Sequence, residues 1–189
     1  LEADGHVRYQ MRSNCTYEEE WTLSGEEDRI ENYDYKSFRY LELVTETDSL
    51  IKPEHISACA RHYPFADPTV LLSCTDEALM KIWNLCSYSV RVGTQEVFVE
   101  CPGREKGQYL GDMTITAMNH LYLTGDPLMY KKGLLNFAQS AEIKDGLLAV
   151  APGSLLQEIA DYSLLYPLQV YRYYQYTRDK EFLLKLYPC

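Results

Sequence analysis

The chain has 189 residues, of which 18 are Lys or Arg and 28 are Asp or Glu, so its formal net charge is -10. This acidic surplus disfavours binding to the phosphate backbone of a nucleic acid or to an anionic membrane surface. No apolar run approaches the length that crosses a bilayer. The composition therefore predicts neither a nucleic acid nor a membrane as the main partner, and the length allows one domain or two small ones.

Six cysteines are scattered along the chain without a CxxC pair and without a histidine at zinc-ligand spacing. This pattern predicts no metal site and no disulfide framework. Scattered thiols favour a reducing compartment, so a cytoplasmic location is predicted, with the periplasm and secretion left open. The six positions are 15, 59, 74, 86, 101 and 189.

Alternating apolar residues mark the first part of the chain. They recur over residues 7–23 and again over residues 38–43, on either side of an acidic turn that contains Gly25. Such alternation predicts β-strands with one buried face. Two to four strands cannot complete a sandwich, so cover for this sheet is expected from elsewhere.

The composition changes around residues 64–68, where two prolines stand close together. This change predicts a boundary that divides the chain into a β part, residues 1–66, and a helical part, residues 67–189. The helical part is predicted to begin with a helix that ends near Val92. Ser73 or Thr75 is expected to cap this helix, with two acidic residues in its first turn.

Four further helices are predicted, separated by short connections. Asp126-Pro127 is a strong start signal, because a capping acid is followed by proline at the first helical position. Pro167 lies within the fourth helical pattern, where it marks the first turn or kinks the helix. The helices run from residues 108–112 to Gly125, from Asp126 to about Glu142, from just after Asp161-Tyr162-Ser163 through Tyr174 and from Lys180 to Leu186, with a turn-rich segment over 144–154.

Residues 100–112, which precede the second helix, contain the densest set of reactive side chains. Three glycines and a proline predict an irregular loop. Carboxylates that donate and accept protons, together with an arginine and an aromatic ring, are typical of sugar chemistry. A solvated polar loop before a helix is the alternative. The side chains are Glu100, Arg104, Glu105, Tyr109 and Asp112.

The order of these residues resembles the catalytic motif of the family 78 α-L-rhamnosidases. That motif reads Asp-Cys-Pro-x-Arg-Glu, then three residues, an aromatic that is usually Trp, and x-Gly-Asp; here the run is Glu100-Cys101-Pro102-Gly103-Arg104-Glu105, followed by Tyr109, Gly111 and Asp112. Residues 159–163 and 176–183 resemble later segments of the same family. The resemblance covers nearly the whole chain in order.

The resemblance implies a mainly α fold with an N-terminal β part, in which strands of a β-sandwich precede the first part of an (α/α)6 barrel. The implied activity is removal of terminal α-L-rhamnose from a carbohydrate with inversion, without a metal or other cofactor. Glu105 matches the general acid. The positions that contact the sugar are matched by Glu100, Arg104, Tyr109, Asp112 and, less specifically, Asp161.

Two positions depart from the family pattern. Glu100 stands where Asp is usual and Tyr109 where Trp is usual, which moves functional atoms by about 1 Å at a site that tolerates about 0.5 Å. The family's general base is a glutamate in a later barrel helix, and no residue of this chain matches it. Five helices are also too few for a barrel of twelve. The chain is therefore expected to be a fragment with little or no activity alone.

Several alternatives stay open from the sequence. Asp112 and Asp161 are each suited to capping a helix, and Arg104 to clamping Glu100. Because a nearby cation favours the ionised form of a carboxyl, Arg104 is expected to face the sugar or Glu100 rather than Glu105. At the level of function, the alternatives are a related glycosidase for another sugar, a non-catalytic carbohydrate-binding protein and a helical interaction module.

Overall fold

The computed structural model describes residues 1–46, 51–65, 72–141 and 146–188. The chain divides into two compact units, Leu1–Ala60 and Arg61–Cys189. The boundary predicted at residues 66 and 67 lies outside the described residues.

The first unit consists mostly of irregular backbone. Its described residues contain two short 3₁₀ turns, Arg12–Asn14 and Pro53–His55, and one isolated antiparallel bridge that joins Gln10 to Thr16. Side-chain contacts add to these few backbone bonds. The Glu42 carboxylate, for example, accepts a hydrogen bond from the Val7 N–H at 2.7 Å.

The strands predicted over residues 7–23 and 38–43 are not formed in the described part of this unit. Apolar side chains that were expected to be buried are exposed, among them Trp21 at 49% and Phe38 at 55%. Alternation buries a face only where partner strands and a covering layer are present, and the described residues of this unit supply neither. The β-sandwich part was predicted over residues 1–66; the described residues of this range do not show it, and it stays a prediction.

The second unit is mainly helical, as predicted, and its described residues form five helices and a two-stranded sheet. In chain order these are α1 (Glu77–Gly93), α2 (Leu110–Thr124), α3 (Leu128–Ser140), β1 (Ala149–Ala151), β2 (Leu155–Glu158), α4 (Ala160–Thr177) and α5 (Lys180–Leu186). Each predicted helix is present.

The capping residue of α1 differs from the prediction. Asp76 is the N-cap, and its carboxylate accepts hydrogen bonds from two backbone N–H groups of the first turn at 2.9 and 3.1 Å. The cap predicted at Ser73 or Thr75 is therefore wrong. An ionised carboxylate is a stronger acceptor than a hydroxyl, which favours the acid as the cap.

The turn between α2 and α3 follows the sequence signals closely. Gly125 adopts a left-handed conformation with φ of 70°, which costs little because glycine has no Cβ. Asp126 Oδ1 then accepts the Leu128 N–H at 2.8 Å. Helix α3 starts one residue later than predicted, because Pro127 is its N-cap and not its first helical residue. The end predicted for this helix at Glu142 lies outside the described residues.

A small antiparallel hairpin was not predicted. Strands β1 and β2 pair Ala149 with Glu158 and Ala151 with Leu155, within and just beyond the segment predicted as turns. Strands of three and four residues are too short to show a clear period of two. The Ala149 N–H also donates to Ser140 Oγ at 3.0 Å, which fastens the hairpin to the end of α3.

The core of this unit lies where α2, α3 and α4 pack together beside the hairpin. Leu121, Leu134 and Phe137 are fully buried there. The hydroxyl of Tyr166 donates to the Leu134 carbonyl at 2.9 Å, so a buried polar group between α4 and α3 is satisfied. Pro167 lies inside α4 rather than in its first turn.

Helices α2 and α3 approach closely at Gly133. A Cβ at this position would lie 2.7 Å from the Met113 sulfur, in the closed core. We therefore expect Gly133→Ala to be less stable than Gly93→Ala by about 1–3 kcal/mol, because the first substitution overpacks the core whereas the second meets its nearest atom at 3.6 Å. Urea unfolding of both variants measures this difference. Equal midpoints would show that Met113 moves aside at no cost.

Among the described residues, no helix is long and apolar enough to cross a membrane. These residues also bring together no cluster of three or more side chains suited to holding a metal ion. Cysteines 15, 59, 74, 86 and 101 are free thiols. The cytoplasmic location stays a prediction.

Candidate functional site

The connection from α1 to α2 carries the motif residues, and its start is anchored in the core. Thr94 and Phe98 form an isolated antiparallel bridge, and Thr94 Oγ1 donates to the Val90 carbonyl at 2.7 Å. Phe98 is 2% exposed and packs edge-on against the buried ring of His120 on α2, with 5.4 Å between centroids. The motif therefore begins from a fixed backbone.

A closed turn presents the next residues to solvent. The Glu100 N–H donates to the Gly107 carbonyl at 3.0 Å, which closes a loop. Inside it, the N–H groups of Arg104 and Lys106 both donate to the Cys101 carbonyl, at 3.3 and 3.2 Å. Lys106 has a left-handed backbone with φ of 54°. The irregular loop predicted for this stretch is confirmed.

Glu105 lies at the tip of this loop and is held through both carboxylate oxygens. Arg104 Nη2 lies 2.7 Å from Oε1, and the Tyr109 hydroxyl donates to Oε2 at 2.6 Å. The expectation that Arg104 would face the sugar or Glu100 is wrong for this structure. The two residues are adjacent on a tight turn, where both side chains are partly exposed, at 43% and 39%, and pair at little cost in desolvation.

Glu100 occupies the more enclosed end of the loop. Its Oε1 is buried and has no hydrogen-bond partner within the described residues. Burial raises the pKa of the Glu100 carboxyl, and the negative charges of Glu105 and Asp112 raise it further. Hydrogen bonds from Cys101 and Gly107 act in the opposite direction. Glu100, Glu105 and Asp112 are thus close enough to interact electrostatically.

Asp112 lies in the first turn of α2 and is exposed. The N-cap of this helix is Tyr109, whose side chain makes no capping hydrogen bond. The alternative in which Asp112 serves as the N-cap is therefore wrong. Its carboxylate faces solvent near the positive end of the helix dipole, where a negative charge is stabilised.

Asp161 comes from a different element, the first turn of α4, where Ile159 rather than Asp161 is the N-cap. Its side chain is exposed. The neighbouring Tyr162 does reach them, because a Cβ at Gly111 would lie 2.6 Å from the Tyr162 Cζ. The structure therefore brings the start of α4 against the start of α2, next to Asp112.

Two contributors were not singled out from the sequence. Tyr162 covers Gly111, and the hairpin brings Ser154 Oγ within 3.3 Å of the position that a Cβ on Gly107 would occupy. The glycines of the motif were the available signal, since glycine allows other groups to approach the backbone closely. Nothing in the sequence identified which groups these would be.

Residues 67–189 match a family model described as the bacterial alpha-L-rhamnosidase 6 hairpin glycosidase domain. The match covers the whole motif loop and all five helices. No curated protein and no solved structure gave a match to the chain.

Proposed function

The chain belongs to the family of bacterial α-L-rhamnosidase six-hairpin glycosidase domains, and from this membership we propose that the protein removes terminal α-L-rhamnose from glycosides or polysaccharides. A glycosidase domain acts on a carbohydrate, so the substrate class follows from the family. The sugar, the mechanism and the roles of individual residues are our proposal.

Glu105 is the proposed general acid. Inverting hydrolysis needs one carboxylic acid to protonate the leaving oxygen and one carboxylate to activate water on the opposite face of the sugar. The observation that carries this assignment is the position of Glu105, exposed at the loop tip and hydrogen-bonded through both oxygens. In this proposal Arg104, which lies against Oε1, moves away when the substrate binds, so that Oε1 can face the glycosidic oxygen.

Arg104, once released, is proposed to bind hydroxyl groups of the sugar together with Glu100 and Asp112. The buried Oε1 of Glu100 supports this role, because a buried oxygen without a protein donor is suited to a donor supplied by a ligand. The Tyr109 ring forms a wall of the site. Asp161 is proposed to line the site from the start of α4, on the side where Tyr162 packs against Gly111.

The water-activating base is proposed to be a glutamate outside these 189 residues. In inverting glycosidases the two carboxyl groups are about 6.5–9.5 Å apart, which leaves space for the water. Glu100 lies in the same short loop as the proposed acid and Asp112 in the first turn of the helix that follows it, so we propose neither of them as the base. The 189-residue chain alone is accordingly expected to show little or no turnover.

A panel of aryl glycosides tests this proposal on the full-length protein. We expect release of the aryl group from the α-L-rhamnoside and much slower release from the α-L-arabinoside, β-D-glucoside and α-D-mannoside. Preferred hydrolysis of another glycoside would favour a related glycosidase with a different sugar specificity. This alternative stays open because Glu100 and Tyr109 replace the usual Asp and Trp at positions that contact the sugar. Binding of rhamnose without turnover would favour a non-catalytic carbohydrate-binding protein.

A further inference from the structure

Tyr109 is held in one place by its backbone and by its ring contacts. Its backbone is extended, with φ of -74° and ψ of 133°, and it is the residue from which α2 begins. Its ring lies over Gly107, where a Cβ would come within 2.8 Å of Cε2. Only glycine at that neighbouring position leaves space for the ring. The phenol hydroxyl therefore has a defined position relative to the loop.

That hydroxyl reaches Glu105. Tyr109 Oη donates to Glu105 Oε2 at 2.6 Å, which is within the range of a well-formed O–H···O hydrogen bond. The same bond raises the pKa of Tyr109 to about 12, so the hydroxyl keeps its proton near neutral pH and acts as a donor. A tryptophan, the usual residue at the matching position, has no hydroxyl. This contact is thus a property of the tyrosine in this chain.

The two oxygens of Glu105 consequently have partners of different kinds. Oε2 is bound to a side chain that starts a helix and packs on the backbone. Oε1 is bound to Arg104, a long side chain that is 43% exposed. Of the two partners, Arg104 is exposed to solvent and Tyr109 is half-buried.

We propose that Tyr109 is a positioning residue for the general acid: its hydroxyl holds Oε2 of Glu105 so that Oε1 carries the proton to the leaving oxygen. In this step the O–H bond on Oε1 breaks, the glycosidic oxygen gains the proton as its bond to the sugar breaks, and the carboxylate that forms keeps the Tyr109 hydrogen bond. This inference rests on the function proposed above.

The effect of Tyr109→Phe on leaving groups tests the inference. In the full-length protein we expect about a tenfold lower kcat on phenyl and alkyl α-L-rhamnosides, with KM within about twofold, because the ring stays and one hydrogen bond to the acid is lost. On 2,4-dinitrophenyl α-L-rhamnoside, whose leaving group needs no proton, kcat should stay within about twofold. Tyr187→Phe, at an 84% exposed position, is the matched control and should behave as wild type.

A double variant adds a readout that a merely structural role would not produce. In a Glu105→Gln background, Tyr109→Phe should cause no further loss on the phenyl rhamnoside, since the two residues act through one proton transfer. An equal loss on every leaving group, or no loss on any, would overturn the inference while leaving the proposed function intact. Absence of turnover of all rhamnosides by the wild-type protein would instead overturn the proposed function, and this inference with it.

Discussion

Glu105→Gln should lower kcat/KM for an unactivated α-L-rhamnoside by about 10²–10⁴-fold, the usual contribution of a general acid. Glutamine has nearly the same shape and still accepts a hydrogen bond from Tyr109, but it has no acidic proton. The substitution at an exposed loop tip should leave the fold unchanged. Steady-state kinetics with the full-length protein, together with thermal unfolding, measure both effects.

Glu181→Gln is the matched control, since Glu181 is likewise an exposed glutamate, in the first turn of α5. It should keep wild-type kinetics. The loss caused by Glu105→Gln should shrink when the leaving group is 2,4-dinitrophenolate, which departs without protonation. A Glu105→Gln protein with wild-type activity on unactivated substrates would exclude Glu105 as the acid and would leave the loop as a solvated polar connection.

Glu100→Gln should have opposite effects on activity and stability. On the rhamnoside, kcat/KM should fall by about 10- to 100-fold, because a hydrogen bond between a hydroxyl and a charged carboxylate is replaced by a weaker one to a neutral amide. The structure gives the physical reason for the opposite effect on stability, since the carboxyl is held where its ionised form is disfavoured. The measurements are steady-state kinetics and thermal unfolding from pH 4 to 7.5.

The sign of the pH dependence follows from the raised pKa. A carboxyl whose folded pKa lies above the ordinary value of 4.5 stabilises the fold below that value, and this contribution is lost as the pH rises through the folded pKa. The Glu100→Gln variant does not lose this stabilisation, because glutamine does not ionise. The Tm of Glu100→Gln minus that of wild type should therefore increase from pH 4 to pH 7.5.

Glu96→Gln, an exposed glutamate at the start of the same connection, serves as the control and should show no such increase. A Tm difference for Glu100→Gln that does not change with pH would contradict the account of this carboxyl. A stable Glu100→Gln variant with unchanged kinetics would show that Glu100 does not contact the sugar.

The helical part of the fold was predictable because its signals are local. Gly125 and Asp126-Pro127 fix a turn through backbone conformation and capping, which depend on only a few neighbouring residues. The motif loop was predictable for a similar reason, since its glycines and proline exclude a continuous helix. The family match then agrees with what the motif residues themselves had indicated.

Other features depend on contacts between residues that are distant in sequence. The hairpin of β1 and β2 is fastened through Ser140, and Tyr162 reaches Gly111 across two elements, which no local pattern encodes. Alternation over residues 7–23 indicated a strand, but strands form only with partners, and none is present in the described part of that unit. The pairing of Arg104 with Glu105 depends on a tight turn whose geometry the sequence did not specify.

The most direct test of the proposed function is the anomer that the full-length protein releases first from an aryl α-L-rhamnoside, followed by proton NMR. Protonation by Glu105 and attack of water from the opposite face predict β-L-rhamnose as the first product, with the α anomer appearing later by mutarotation. Initial release of α-L-rhamnose would show retention and contradict the mechanism.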